Sequence, residues 1–183
     1  MMLTIIEKII AWLAKVFKWE EPMPSLDNTV TEIEFIPMPA RDRAMELYTT
    51  AKDLLQPKKD VSPADLAPDE LACVESIENV YKACFGTFIG GTKPLLNTWE
   101  MLVVLGDSPD FKRIEEPVPG AIILNATWSG NGKVRGHVGI CGKSWIMANN
   151  SNTSYWSADY TYPAWNDYFA IHGGMKTHFF KPI

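Results

Sequence analysis

Pro68-Asp69-Glu70-Leu71-Ala72-Cys73 opens an apolar-periodic run that continues through Val74, Ile77, Val80, Tyr81 and Cys84 and stops at Gly86. Apolar residues recurring every three to four positions predict a helix. Asp69 is its expected N-cap, Glu70 suits the positive end of its dipole, and Gly86 is its stop. Cys73 then lies in or near the first turn, where unpaired N–H groups favour a thiolate.

Upstream, Arg41 to Leu55 carries the same period through Ala44, Leu47, Tyr48, Ala51 and Leu54, and predicts another helix. The polar, proline-bearing stretch from Pro57 to Pro68 separates the two. A further helix is expected around Leu95 to Leu105.

The second half reads as β. Pro119-Gly120 turns into Ala121-Ile122-Ile123-Leu124, and Ser129-Gly130-Asn131-Gly132 makes a hairpin-type loop. His137 to Cys141 is the returning strand, followed by a turn at Gly142-Lys143 and a strand from Ser144 to Ala148. Asn149-Asn150-Ser151-Asn152 reads as a loop, and Thr177 to Phe180 as the last strand. Helices followed by a meander make an α+β domain over residues 41–183.

Residues 1–19 form a separate unit. Leu3, Ile5, Ile6, Ile9, Ile10, Trp12, Leu13, Val16 and Phe17 recur at helical spacing, with Thr4, Glu7, Lys8, Lys15 and Lys18 on the other face. The run is short for a span, is interrupted by charge, and lacks the small-residue cleavage site of a signal peptide. Two readings stay open. The helix lies in a membrane interface, or it packs on the domain or on a second copy of itself. Residues 20–40, with Pro22, Pro24, Pro37 and Pro39, read as an extended linker.

Composition narrows the chemistry. Of the 183 residues 46 % are hydrophobic, with seven tryptophans, which suffices for a sizeable core. A net charge of −5 argues against nucleic acid, whose binding needs clustered Lys and Arg. The three cysteines, Cys73, Cys84 and Cys141, form no CxxC pair and fit neither a disulfide framework nor a zinc site. The three histidines, His137, His172 and His178, make no HxH or HExxH pattern, so neither a metal nor a cofactor is expected.

Cys84 and Cys141 sit among apolar neighbours and read as core. Cys73 differs in position and in having a partner downstream. Gly136-His137-Val138-Gly139-Ile140 sets a histidine at the head of a strand, where its ring can stand on the sheet face toward the helix and act as base. An imidazole in that role needs a third group to fix its tautomer. Asn149, at the end of the adjacent strand, is the candidate, since Asn150 would point to the other face. The bland reading, two turn asparagines, stands beside it. Asp69 and Glu70 beside Cys73, and Trp156 in the aromatic cluster that runs to Trp165, are candidate substrate-contacting residues. Ordinary core packing is the alternative for those rings.

Together Asp69-Glu70-Leu71-Ala72-Cys73, Pro119 to Ile123, Gly136 to Ile140 and Met147-Ala148-Asn149 resemble the CHAP and NlpC/P60 group of peptidoglycan-cleaving cysteine hydrolases. The likeness is to the small phage-encoded lysin-like members and covers about Arg41 to Ile183. It implies a papain-like core in which N-terminal helices pack on an antiparallel sheet. It implies Cys73 as nucleophile, His137 as base and Asn149 as orienter, with the Cys73 main-chain N–H as an oxyanion donor. Peptidoglycan is the implied partner, at the bacterial cell wall or in a phage particle, after synthesis in the cytoplasm. Members often carry Glu or His at the third place, so Asn149 departs from the common patterns, although papain itself uses asparagine. Two alternatives remain: a non-catalytic virion component that keeps the fold, and a thiol acyltransferase.

Overall fold

The structure, a computed structural model, describes residues 41–55, 72–127, 135–150 and 155–183. By its contacts the chain separates into Met1–Pro39 and Ala40–Ile183, and every described residue falls in the second unit. The expected amphipathic helix, the linker, the 57–68 loop, Asp69, Glu70 and the 129–132 hairpin loop lie outside the described residues.

Helix α1 (Arg43–Asp53) starts at Asp42, whose carboxylate accepts the Met45 N–H at 3.3 Å, and buries Ala44, Leu47, Tyr48 and Ala51. Helix α2 (Cys73–Phe85) begins three residues later than the Asp69 cap would set it. Ala72 occupies the cap position with no side-chain hydrogen bond, while Asp69, the expected cap, lies outside the described residues. The later start makes Cys73 the first helical residue. The predicted end is found: Gly86 takes φ 78°, a left-handed conformation that suits glycine, and its N–H closes on the Lys82 carbonyl at 2.8 Å.

Every residue of α2 from Cys73 to Ile77 is buried, which makes it the central helix. Two of its buried polar members are served locally. Ser76 donates to the Ala72 carbonyl at 2.9 Å. The Glu78 carboxylate gathers the main-chain N–H groups of Ile89 (2.7 Å), Gly90 (3.3 Å) and Leu95 (3.2 Å), and so folds the next loop onto the helix. Helix α3 (Thr98–Asp107) is capped by Asn97, which accepts from Glu100 N–H at 2.8 Å.

The strands are β1 (Phe111–Ile114), β2 (Ile122–Asn125), β3 (His137–Cys141), β4 (Trp145–Asn150), β5 (Tyr155–Thr161) and β6 (Thr177–Pro182). They form one antiparallel six-stranded sheet in the order β1-β6-β2-β3-β4-β5. The α+β class is as expected. Neither β1 nor β5 was foreseen, and Asn149 and Asn150 extend β4 rather than forming a loop. Between β5 and β6 lie a four-residue helix, α4 (Tyr162–Trp165), and a π-helical segment, Asn166–His172.

Alternation along the strands divides the core in two. One face of the sheet carries Ile122, Leu124, Val138, Ile140, Met147, Trp156 and Phe180, and packs with α1, α2 and α3 through Leu47, Val74, Ile77 and Met101. The opposite face carries Ala121, Ile123, Cys141, Ile146 and Ala148, covered by Trp165, Phe169 and Met175. On the helix side main chain meets main chain at Gly120 (φ 82°), where an added Cβ would lie 1.7 Å from the Ala44 carbonyl oxygen. Arg43 closes one corner of the domain. Its guanidinium donates to the Tyr81 hydroxyl (2.9 Å) and the Ile183 carbonyl (3.3 Å), pairs with Asp110 (3.4 Å), and lies over the Phe85 ring.

Candidate active site

Cys73 occupies the first turn of α2 and belongs to the helix-side core. Burial pushes its thiol up to about 11, against the opposing pull of hydrogen bonds from the main chain of Val74, Val138 and Cys73 itself. Two of those donors are the free N–H groups that any helix start offers. The third comes from the sheet, and strand geometry explains why it is available. Cys141 exchanges both main-chain hydrogen bonds with the β2 side, through Ala121 and Gly120. Main-chain direction alternates along a strand, so the Val138 N–H points toward β4. The β3–β4 pairing, however, covers only Ile140↔Met147 and Cys141↔Ile146. Beyond Ile140 the ladder has ended, and the Cys73 sulfur takes the donor that β4 leaves.

His137 heads β3 as expected, but on the other face of the sheet. It pairs with Asn125 of β2, and residues directly opposite in an antiparallel pair share a face. The Asn125 side chain accepts from the Trp165 indole at 2.6 Å, which fixes that face as the aromatic one. The imidazole stacks on Trp165 and on Phe169, each at 5.3 Å between centroids, with Tyr160 edge-on at 6.2 Å. Burial among these rings drives its pKa down to about 4, and a hydrogen bond to the Asn149 main chain opposes the drop only in part. The expectation that the ring stands toward the helix is therefore corrected. Val138, its neighbour, faces the helix and His137 does not. Among the described residues no hydrogen bond links the thiol to the imidazole. At neutral pH both groups are uncharged.

Asn149 lies where the two meet. The register Ile140↔Met147, carried two residues on, sets Asn149 opposite Val138 at the open end of β3 and β4. Its main-chain carbonyl is what the His137 ring N–H reaches, so the tautomer is held by backbone and not by the side-chain amide. That amide leaves the strand on the helix face: Met147, two residues back, and Trp156, paired with Asn149 across β5, both belong to the core that contains Cys73. It is 1 % exposed, and neither its oxygen nor its nitrogen has a hydrogen-bond partner. Each such atom costs on the order of 1–3 kcal/mol of folding free energy. Asn150 points the opposite way, as expected, and donates to Asp159 at 2.7 Å.

Trp156, expected to contact substrate, is core. It is 1 % exposed and its indole donates to the Ala51 carbonyl of α1 at 2.8 Å. Cys141 is core as expected: burial raises its thiol to about 12, and the Tyr162 hydroxyl beside it lowers it slightly. His172 is surface-exposed with its ring at the Asp167 carbonyl (2.8 Å), and His178 contacts Arg113 at 2.6 Å. Asn125, Trp165 and Phe169 were not foreseen as partners of His137. Their only sequence signal is the aromatic richness of 155–169, which does not say which ring a strand histidine will meet. Among the described residues no cluster of His, Cys, Asp and Glu is arranged to hold a metal ion, and no helix is long and apolar enough to cross a membrane.

Comparison of the chain with protein families, with curated proteins and with solved structures finds no match.

Proposed function

We propose that the protein is a cysteine-dependent hydrolase of papain-like plan, cleaving amide bonds in peptidoglycan with Cys73 as nucleophile. One observation carries the reading: the Cys73 sulfur, at the first residue of a helix, collects main-chain N–H groups from both helix and sheet, beside a strand headed by His137. Such donors stabilise negative charge on sulfur in the attacking state and on the carbonyl oxygen of the adduct. In the reaction Cys73 attacks the carbonyl carbon while its proton passes to His137. The tetrahedral adduct expels the amine, which takes that proton. Water then releases the acid from the thioester and restores the thiol. For this His137 must leave its stack on Trp165 and Phe169 and reach the Cys73 face, which takes a main-chain rearrangement at the head of β3 as well as a turn of the ring. Peptidoglycan as substrate rests on the resemblance carried by Cys73, Gly136 to Ile140 and Asn149.

The decisive experiment is dye release from labelled sacculi by the purified full chain. Cys73→Ala lowers the rate by about 10³-fold or more. Mass spectrometry of the fragments identifies the bond from its new terminus. Hydrolysis by Cys73→Ala at the wild-type rate would show the nucleophile assignment to be wrong.

A second reading has its own observation. Thiol and imidazole leave the sheet on opposite faces, which suits a binding or virion protein that keeps this architecture without turnover. It is favoured if the wild-type chain co-sediments with sacculi, releases nothing, and Cys73→Ala does the same.

A further inference from the structure

The buried amide of Asn149 has no structural task, and its position gives it a chemical one. In the stacked position of His137 it is the Asn149 main-chain carbonyl, and not the side-chain amide, that meets the imidazole. The side chain projects instead on the Cys73 face, opposite Val138, whose N–H reaches the Cys73 sulfur. Both amide atoms are inaccessible and unpaired, while nearby polar groups such as Ser76 and the Trp156 indole have partners at 2.9 and 2.8 Å. An unpaired buried donor on the same sheet face as the nucleophile fits a hydrogen bond that forms in the transition state and is absent from the ground state.

We propose that the Asn149 side-chain Nδ2–H is an oxyanion donor, binding the carbonyl oxygen of the amide that Cys73 attacks, and that it is not the orienter of His137. The proposal rests on the reading of Cys73 as an acyl-forming nucleophile. As the C–S bond forms, the carbonyl π electrons move to oxygen. Asn149 donates to that oxyanion together with the Cys73 main-chain N–H. When the adduct collapses the electrons return, the C–N bond breaks and the amine leaves with the proton held on His137. Asn149 neither gains nor loses a proton, so its effect falls on the charge of the adduct and not on the titration of the base. Its substrate is thereby defined as one that presents a carbonyl oxygen to the helix side of the β3–β4 end.

The test compares wild type, Asn149→Ala and Asn149→Ser on soluble peptidoglycan fragments, and measures inhibition by a dipeptide aldehyde, whose thiol adduct carries the same oxygen. The expected result for Asn149→Ala is a fall in kcat of about 10²–10³-fold with KM unchanged. Aldehyde affinity falls alongside, and the limbs of the kcat/KM pH profile stay in place. Asn149→Ser, which keeps an O–H donor, recovers part of the loss. The thermal midpoint of Asn149→Ala is equal to or above that of wild type, because no native hydrogen bond is removed. A shifted pH limb would assign Asn149 to His137 and overturn the proposal. Unchanged kcat, unchanged aldehyde affinity, or equal losses in Ala and Ser variants overturn it as well. Those results leave the hydrolase reading standing, whereas a wild-type chain that turns over nothing removes both.

Discussion

The two faces of the sheet satisfy their polar groups to different degrees. On the aromatic face Asn125 accepts from Trp165 and donates to Thr177 (2.9 Å), Tyr162 donates to the Gly142 carbonyl (2.9 Å), and His137 is held at Asn149. On the helix face a thiol sits among main-chain donors, and a fully buried amide has nothing to bind. Satisfied networks rigidify a core, and an unsatisfied buried group lowers stability unless something else needs it. The face that holds the histidine is the better satisfied one, and the face with the cysteine holds the unused capacity.

Removing Trp165 is the strongest way to break this contrast. Trp165→Ala should cost about 3–5 kcal/mol in urea unfolding, since it deletes a buried indole and strips Asn125 of its donor. In the fraction that folds, the His137 imidazole should titrate closer to its ordinary 6.5, which NMR reads directly. A loss below about 1 kcal/mol would mean that the aromatic face is loosely packed after all.

Acid should strain the same face nearly as much. His137 is neutral when folded and its pKa falls from 6.5 to about 4, so between those values the unfolded chain binds the extra proton. Its contribution is complete above pH 6.5 and is lost as pH falls toward 4, by about 3 kcal/mol in all. Denaturant midpoints across that range should show the slope, and His137→Phe should flatten it. The helix face answers to base instead. With the Cys73 thiol raised from 9.0 to about 11, the unfolded chain ionises first, and stability falls as pH rises through that window.

A smaller effect tests the helix face itself. Trp156→Phe keeps most of the ring but leaves the Ala51 carbonyl without its indole donor, at a cost of about 1 kcal/mol by thermal unfolding. Smallest of all in energy is a reactivity order. Iodoacetamide at neutral pH should modify half-buried Cys84 before Cys73 in the substrate-free chain, by mapping of labelled peptides. Faster labelling of Cys73 would mean that its site opens spontaneously in solution.

How far the sequence carried this division can be followed residue by residue. Helical periodicity located α1, α2 and α3, and Gly86 marked a real stop: in α1 and α3 the buried positions recur on one side, and in α2, buried nearly all round at its start, the apolar ones keep the period. The bounds of β3 were legible from Gly136 and the apolar run behind it. Its orientation was not. All five residues of β3 are buried, so apolar side chains point both ways and alternation cannot say which face meets a helix. That silence let His137 be placed on the helix side. Strand β1 is only four residues long with Lys112 and Arg113 exposed, and β5 carries an irregular register against Ile146 and Ala148, so neither shows a clean period. Cys73, His137 and Asn149 were found as a set because spacing brings them to one end of β3 and β4. What Cys73 and His137 each contact is main chain, the Val138 N–H and the Asn149 carbonyl, and main-chain groups carry no sequence signature.

The corner closed by Arg43 has a consequence for how this chain can be cut and rejoined. Arg43 opens α1 and holds the carbonyl of Ile183, while the Ile183 N–H bonds the Asp110 carbonyl at 3.0 Å. The two extremities of the described framework are thus neighbours in space, although 140 positions separate them along the chain. Arg41 and Ile183 are both exposed, so a short Gly-Ser bridge between them would begin and end at the surface. The domain is topologically almost a ring, and its order of elements can be rotated without redrawing the sheet.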